Sequence, residues 1–200
     1  DIFIGIDAPD FNFEIHRKLQ KKGIKTVHVV CPSVWAWRPG RVKQFNYVDY
    51  MLCLFPFELE YCANVNKQAF CIGHPLLDKQ KDFENDDKEN IICIMPGSRK
   101  AEIQNNLEVM IDGFNQFNFE EKYKAIIPIY KEDDKYLIQD KIQKHKNITF
   151  ANVESSEILK KAKAAVVCSG TATLEAILAE VPTTVIYKTN WFNHLVIKNL

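Results

Sequence analysis

Residues 164–168 of this 200-residue chain (AAVVC) form an apolar, strand-like run. It passes straight into Ser169-Gly170-Thr171, and a helix-forming run over 172–180 follows. A strand that feeds a glycine-containing turn and a helix N-terminus suits an anion, because the first helical N–H groups lack partners and the helix dipole favours negative charge. The competing role for Ser169 or Thr171 is a plain helix cap. A capping box needs Glu or Gln three residues after the cap, but Ala172 and Leu174 stand there. Glu175 therefore has no cap role by this reading. One turn into the helix, its carboxylate can accept hydrogen bonds from sugar hydroxyls.

Pro96-Gly97-Ser98-Arg99 repeats the arrangement after another apolar run, 91–95. Gly97 lets backbone approach a phosphate, Ser98 caps the next helix, and Arg99 can fork two oxygens; a plain turn with a cap competes with this reading. Asp7 ends the apolar run 2–6, at the strand terminus where such sheets do chemistry. A carboxylate there can act as general base on an acceptor hydroxyl, against the alternative that it caps the helix after Pro9, a role Asp10 or Asn12 fits better. Trp35, Trp37, Arg38, Arg41 and Lys43 make an aromatic and basic loop able to stack on a sugar, lie on a membrane surface or bind phosphate. The competing reading has one tryptophan plugging the core. His74 reads as a hinge packing residue, the other histidines give no triad, and neither a nucleophile elbow nor an HExxH helix is present.

These residues need elements to hold them. Apolar runs at 2–6, 25–30, 50–55 and 69–73 read as strands, separated by helices to about residue 22 and over 58–63 and by a short basic helix after residue 41. Residues 78–90 (DKQKDFENDDKEN) carry nine charges in thirteen positions and read as a solvated linker. Beyond it, strands at 91–95, 123–129, 147–151, 164–168 and 181–187 alternate with helices at 100–117, 133–145, 155–163, 172–180 and 191–200. The expectation is two α/β domains with parallel sheets, 1–77 and 91–200, hinged by a linker over 78–90, with ligands at strand C-termini in a cleft. Because residue 1 already lies in a strand-like run, the chain reads as a fragment.

With 26 basic and 26 acidic side chains and 46% hydrophobic residues, the composition is globular and bulk charge recruits no nucleic acid. Six dispersed cysteines without ligand spacing read as reduced, buried thiols of a cytosolic protein rather than a disulfide frame or a zinc site. No run reaches the ~18 apolar residues of a membrane span, and no signal peptide is visible.

Taken together, GIDAPDFN (5–12), GIKTVHVVCPSVWAWRPGRV (23–42), LFPFE (54–58), IGHPL (72–76), MPGSRKAEI (95–103) and SGTATLEA (169–176) resemble the lipid-A-disaccharide synthases. These are glycosyltransferases of the GT-B type, with two Rossmann-type domains facing across a cleft. The segments occur in the family's order across nearly the whole chain; DAPDFN and SVWAWR are the specific ones. The resemblance implies transfer from UDP-2,3-diacylglucosamine to 2,3-diacylglucosamine 1-phosphate, giving a β(1→6) disaccharide and UDP, with no metal or cofactor. It implies Asp7 as base for the acceptor 6-hydroxyl, and Gly97, Ser98, Arg99, Ser169, Gly170, Thr171, Thr173 and Glu175 on the donor half. Trp35, Arg38 and Arg41 would then lie by the acceptor or the membrane, in a cytoplasmic protein peripheral to the inner membrane that leaves room for a homodimer. The family's N-terminal glycine loop and C-terminal portion are missing, so both domains are expected to be incomplete. The rival readings are a UDP-N-acetylglucosamine 2-epimerase, which shares the architecture but lacks the tryptophan loop, and a non-catalytic nucleotide-sugar-binding module.

Overall fold

A computed structural model describes residues 1–65, 68–78, 87–118, 120–129 and 131–188. The chain divides into two compact units between Pro75 and Leu76. Residues 79–86 of the expected linker and the expected helix over 191–200 lie outside the described residues. The end of the charged stretch is not linker: Glu89 already belongs to a strand.

In the first unit, β1 (Ile2–Ile6), β2 (Lys25–Val29), β3 (Tyr50–Cys53) and β4 (Ala69–Cys71) form one parallel sheet in sequential order. Helix α1 (Pro9–Gln20) and α2 (Glu58–Cys62) supply crossovers, and a 3₁₀ helix runs over Pro39–Tyr47. Helix α1 lies so close to β1 that a Cβ on Gly5 would fall 2.8 Å from the His16 ring and 3.0 Å from the Asn12 amide carbon. Only glycine fits that crossing. The continuous apolar run 2–6 suits a strand buried on both faces, but β1 is covered on one face only: on the other, Ile2, Ile4 and Ile6 are all more than half exposed. Successive side chains of an edge strand point to opposite faces, and none of these three joins the core packed around Phe13, Phe45 and Met51.

The second unit is doubly wound. Strands β5 (Glu89–Met95), β6 (Lys124–Pro128), β7 (Ile148–Ala151), β8 (Ala162–Cys168) and β9 (Thr183–Ile186) pair in parallel, in the order β7-β6-β5-β8-β9. Helices α3 (Lys100–Phe117), α4 (Glu132–Ile142), α5 (Ser155–Lys161) and α6 (Thr171–Leu178) connect them. The pleat of β5 divides two cores. Ile92 and Ile94 pack with Ile103, Leu107, Met110, Ile111 and Phe114, the apolar stripe of α3, and with Ile138 and Ile142 of α4. Ile91, Cys93 and Met95 pack with Ile158 and Leu159 of α5 and Ala176 of α6. With both faces covered, the central strand is apolar throughout rather than alternating.

The first unit buries a pair of imidazoles, His16 and His28. His16 Nε2 lies 3.1 Å from His28 Nδ1. The outer nitrogens, His16 Nδ1 and His28 Nε2, have no hydrogen-bond partner among the described residues. Burial, reinforced by the neighbouring imidazole, pushes the His28 pKa from its ordinary 6.5 down to about 4. The unfolded chain thus takes up a proton that the folded chain refuses between pH 6.5 and about 4. Stability is therefore lost as pH falls through that window, by about 3 kcal/mol when the loss is complete. Urea unfolding between these pH values will show the slope, and His28→Leu will flatten it; a slope unchanged in that variant would remove the assignment.

Candidate active site

Strand order fixes where a site can form. After β5 the chain moves outward to β6 and β7, then crosses back to β8 on the other side of β5. The pair β5–β8 is thus the switch point of the sheet, and ligands of open α/β folds bind outside the strand C-termini there. Met95 pairs with Val167, so Pro96–Arg99 and Ser169–Thr171 leave the sheet side by side. They line one cavity of about 350 Å³, together with Glu102, Lys131, Asp134 and Glu175. That volume suits a small ligand. Of the donor-side residues expected from sequence, Gly97, Ser98, Arg99, Ser169, Gly170, Thr171 and Glu175 line it, and Thr173 does not. The Thr173 N–H instead donates to the Gly170 carbonyl at 3.0 Å, inside the first turn of α6.

The two helix N-termini at this cavity differ. At α3 the cap position is Arg99, not Ser98, and no side chain caps through a hydroxyl. The Glu102 carboxylate holds the terminus instead: its Oε2 accepts from the Ser98 N–H at 3.0 Å and the Arg99 N–H at 3.3 Å. Its Oε1 accepts from the Arg99 guanidinium at 2.6 Å. Burial works against the Glu102 charge, but the Arg99 guanidinium and the two N–H groups outweigh it and hold the pKa below the ordinary carboxylate value. Gly97, at φ +123°, makes room for this carboxylate, since a Cβ there would lie 2.5 Å from the Glu102 Cβ. An internal carboxylate thus sits where the sequence suggested a phosphate.

At α6 nothing of the kind occurs. The Ser169 N–H is spent on the Ile186 carbonyl at 3.1 Å. The N–H groups of Gly170 and Thr171 have no partner among the described residues. This is the open anion position of the unit. Glu175, expected to await sugar hydroxyls, accepts a short hydrogen bond from the Ser155 hydroxyl at the start of α5.

Asn106, which carries no site reading in the sequence, contacts three residues that line the cavity, Pro96, Glu102 and Cys168. It is 1% exposed. Its Nδ2 donates to the carbonyls of Glu102 (2.9 Å) and Pro96 (3.3 Å) and lies 3.4 Å from Cys168 Sγ, while its Oδ1 accepts from the Lys188 N–H at 2.8 Å. One amide thus ties together the ends of β5 and β8 and the segment after β9. Its position in the middle of the α3 apolar stripe (Ile103, Leu107, Met110) was the available signal, since a polar residue there must find buried partners.

In the first unit, Asp7 follows β1 and its side chain is exposed, with no partner among the described residues. The cap alternatives fail: α1 starts after Ala8 without any side-chain cap. Asp7 and Ala8 both adopt left-handed backbone, φ +48° and +41°, at a cost of about 1–3 kcal/mol each. Buried Asn12 stabilises that turn by donating to the Asp7 carbonyl at 2.7 Å and the Ile6 carbonyl at 3.2 Å. Asp10 pairs with Arg41 in a short ion pair and with Arg38 at 3.4 Å. The basic loop is therefore drawn to the start of α1, one turn from Asp7. Neither tryptophan plugs the core: Trp35 and Trp37 are 38% and 40% exposed, and Val34 is the buried residue of the loop. Trp35 meets Phe57 edge-on at 4.8 Å, and Arg38 lies 5.5 Å over the Trp37 ring.

Two parallel-sheet units, the second with an anion-ready crevice at its switch point, define an α/β fold of the GT-B type. Solved structures agree. The UDP-GlcNAc 2-epimerase of Neisseria meningitidis bound to UDP-GlcNAc matches with a TM-score of 0.62 and 13% identity, over 98% of this chain and 62% of that one. The pneumococcal O-GlcNAc transferase GtfA matches with a TM-score of 0.54 and 13% identity, over 94% and 42%. At such identities the likeness is one of fold.

The chain belongs to the lipid-A-disaccharide synthetase family, whose model matches residues 1–200. Proteins named lipid-A-disaccharide synthase from Burkholderia thailandensis, Francisella philomiragia and Idiomarina loihiensis are 38%, 37% and 35% identical to it. These matches cover 96%, 94% and 100% of this chain and 53%, 54% and 57% of the relatives. The chain thus spans about half the length of the curated relatives it matches.

Replacing Asn106 by Ala leaves the Lys188 N–H and the Pro96 carbonyl without their partner, and should cost about 1–3 kcal/mol. Thermal unfolding of the variant will show that loss, together with faster exchange of the Lys188 amide proton; unchanged exchange would mean that Asn106 does not hold the segment after β9.

Proposed function

We propose that the protein containing this chain is a hexosyltransferase that joins UDP-2,3-diacylglucosamine to 2,3-diacylglucosamine 1-phosphate, forming the β(1→6) lipid A disaccharide and releasing UDP. The observation that carries this reading is the pair of unpartnered Gly170 and Thr171 amides at the switch-point cavity, in a chain of this family. Those amides, with the α6 dipole behind them, take the diphosphate of the donor. Arg99 adds a guanidinium at the same rim once a phosphate competes with Glu102 for it. As the glycosidic bond to UDP breaks, negative charge grows on the diphosphate, and these fixed donors stabilise it without reorganising.

Asp7 supplies the other half of the reaction. Its unpaired carboxylate takes the proton of the acceptor 6-hydroxyl as that oxygen attacks the anomeric carbon from the face opposite UDP, inverting it. Left-handed backbone at Asp7 and Ala8, held by Asn12, aims that carboxylate away from the helix cap. Trp35 and Trp37 beside Arg38 and Arg41 suit an acyl-chain-bearing acceptor at the membrane surface, with rings at the interface and cations toward phosphate. No helix among the described residues is long and apolar enough to cross a membrane.

The test follows UDP release by the full-length protein from UDP-2,3-diacylglucosamine, with and without the monosaccharide 1-phosphate. Release should require the acceptor and fall about 10²–10⁴-fold in Asp7→Asn. Asp7→Asn at near-wild-type turnover would remove the base assignment, and turnover of UDP-N-acetylglucosamine alone would replace the transferase reading with an epimerase.

A further inference from the structure

Three of the six cysteines, far apart in sequence, converge in the core of the first unit. Cys31 follows β2, Cys53 ends β3 and Cys62 ends α2. All are free thiols, 2%, 0% and 0% exposed. The sulfurs of Cys53 and Cys62 are 3.9 Å apart, and all three lie within 4.8 Å of one another. A pyramidal centre bonded to three sulfurs at about 2.3 Å, with bond angles of about 97°, holds them roughly 3.4–3.5 Å apart. The Cys53–Cys62 pair must close by about 0.5 Å to reach that spacing, and the third sulfur needs to move by no more than about 1.4 Å. Placing Cys31 there has a backbone cost: Val30, a β-branched residue, sits at φ +78° immediately before it, where such a residue is a strained outlier.

The surroundings decide which ion the sulfurs accept. Phe13, Val34, Phe45 and Met51 pack around them, all buried. The buried Glu58 carboxylate lies one turn before Cys62 on α2 and accepts from the N–H groups of Leu54 and Phe55, which follow Cys53. Three thiolates around a monovalent ion leave a charge of −2, and around a divalent ion −1; both are costly in a dry core beside a carboxylate. Around a trivalent centre the charge is zero.

We propose that Cys31, Cys53 and Cys62 form a binding site for a trivalent, three-coordinate thiophilic centre of the arsenite class. In binding, each S–H proton leaves with one hydroxide of As(OH)₃: three As–O and three S–H bonds break, three As–S bonds form, and three waters depart. No electron is transferred. Occupancy ties β2, β3 and α2 together at Cys31, four residues before Trp35 in the loop that also carries Arg38 and Arg41.

The experiment titrates the fully reduced chain with arsenite, and reads uptake by native mass spectrometry and the arsenic shell by X-ray absorption. The expected result is one arsenic per chain, with a shell of three sulfurs and no oxygen. Cys31→Ala and Cys62→Ala should lose that shell, while Cys71→Ala, which removes an exposed thiol, keeps it. No uptake, a shell of two sulfurs and one oxygen in the wild type, or loss of the shell in Cys71→Ala would overturn the site. The wild-type shell and the Cys71→Ala result decide the matter even if the core variants do not fold.

Discussion

The parallel pairing of β5 with β8 is the contact on which the candidate site depends. These strands adjoin only because the chain winds outward through β6 and β7 and then returns across β5. Their carboxyl ends carry Pro96–Arg99 and Ser169–Thr171, and the pairing sets those loops against one cavity. The two hydrophobic cores that sandwich β5 make the pairing rigid, since each packs alternate side chains of that strand. Asn106 then fixes the loops to the strand ends. A site built in this way is held by packing and by a buried amide on rigid elements.

Within that frame the two helix termini have diverged in role. The α3 terminus is satisfied by its own glutamate, so its N–H groups stabilise the helix rather than wait for substrate. The α6 terminus leaves its donors open. Two anion-friendly turns on one sheet edge therefore amount to one open anion position and one arginine whose guanidinium is held nearby by Glu102. In the first unit, Asp10 similarly holds Arg38 and Arg41. In each unit an acidic residue keeps basic side chains beside the site while leaving one key group, Asp7 or the α6 amides, unpaired.

Much of this was legible in the sequence because it rests on local pattern. Apolar runs bounded by glycine, proline or charge located the nine strands among the described residues to within a few positions, and the helix expected over 100–117 coincides with α3. Boundaries failed where pairing overrode propensity: Ala162 and Lys163 read as the end of a helix, yet they join β8 because β5 lies alongside. The turns at Gly97 and Gly170 were legible as anion-friendly, and their difference was not. Glu102 stands three residues after Arg99, a capping-box spacing that a cap at Ser98 does not use. Contacts between distant positions had no local signature: Ser155 with Glu175, Arg41 with Asp10, and the meeting of Cys31, Cys53 and Cys62 arise from crossovers that only the folded sheet order specifies.

The central claim is that the donor diphosphate sits on the free amides at the β8–α6 turn. A crystal structure of the full-length protein with UDP tests this directly. The account predicts phosphate oxygens within hydrogen-bonding distance of the Gly170 and Thr171 N–H groups, with Arg99 turned toward them. A diphosphate bound away from that turn, with both amides still unpartnered, would contradict it.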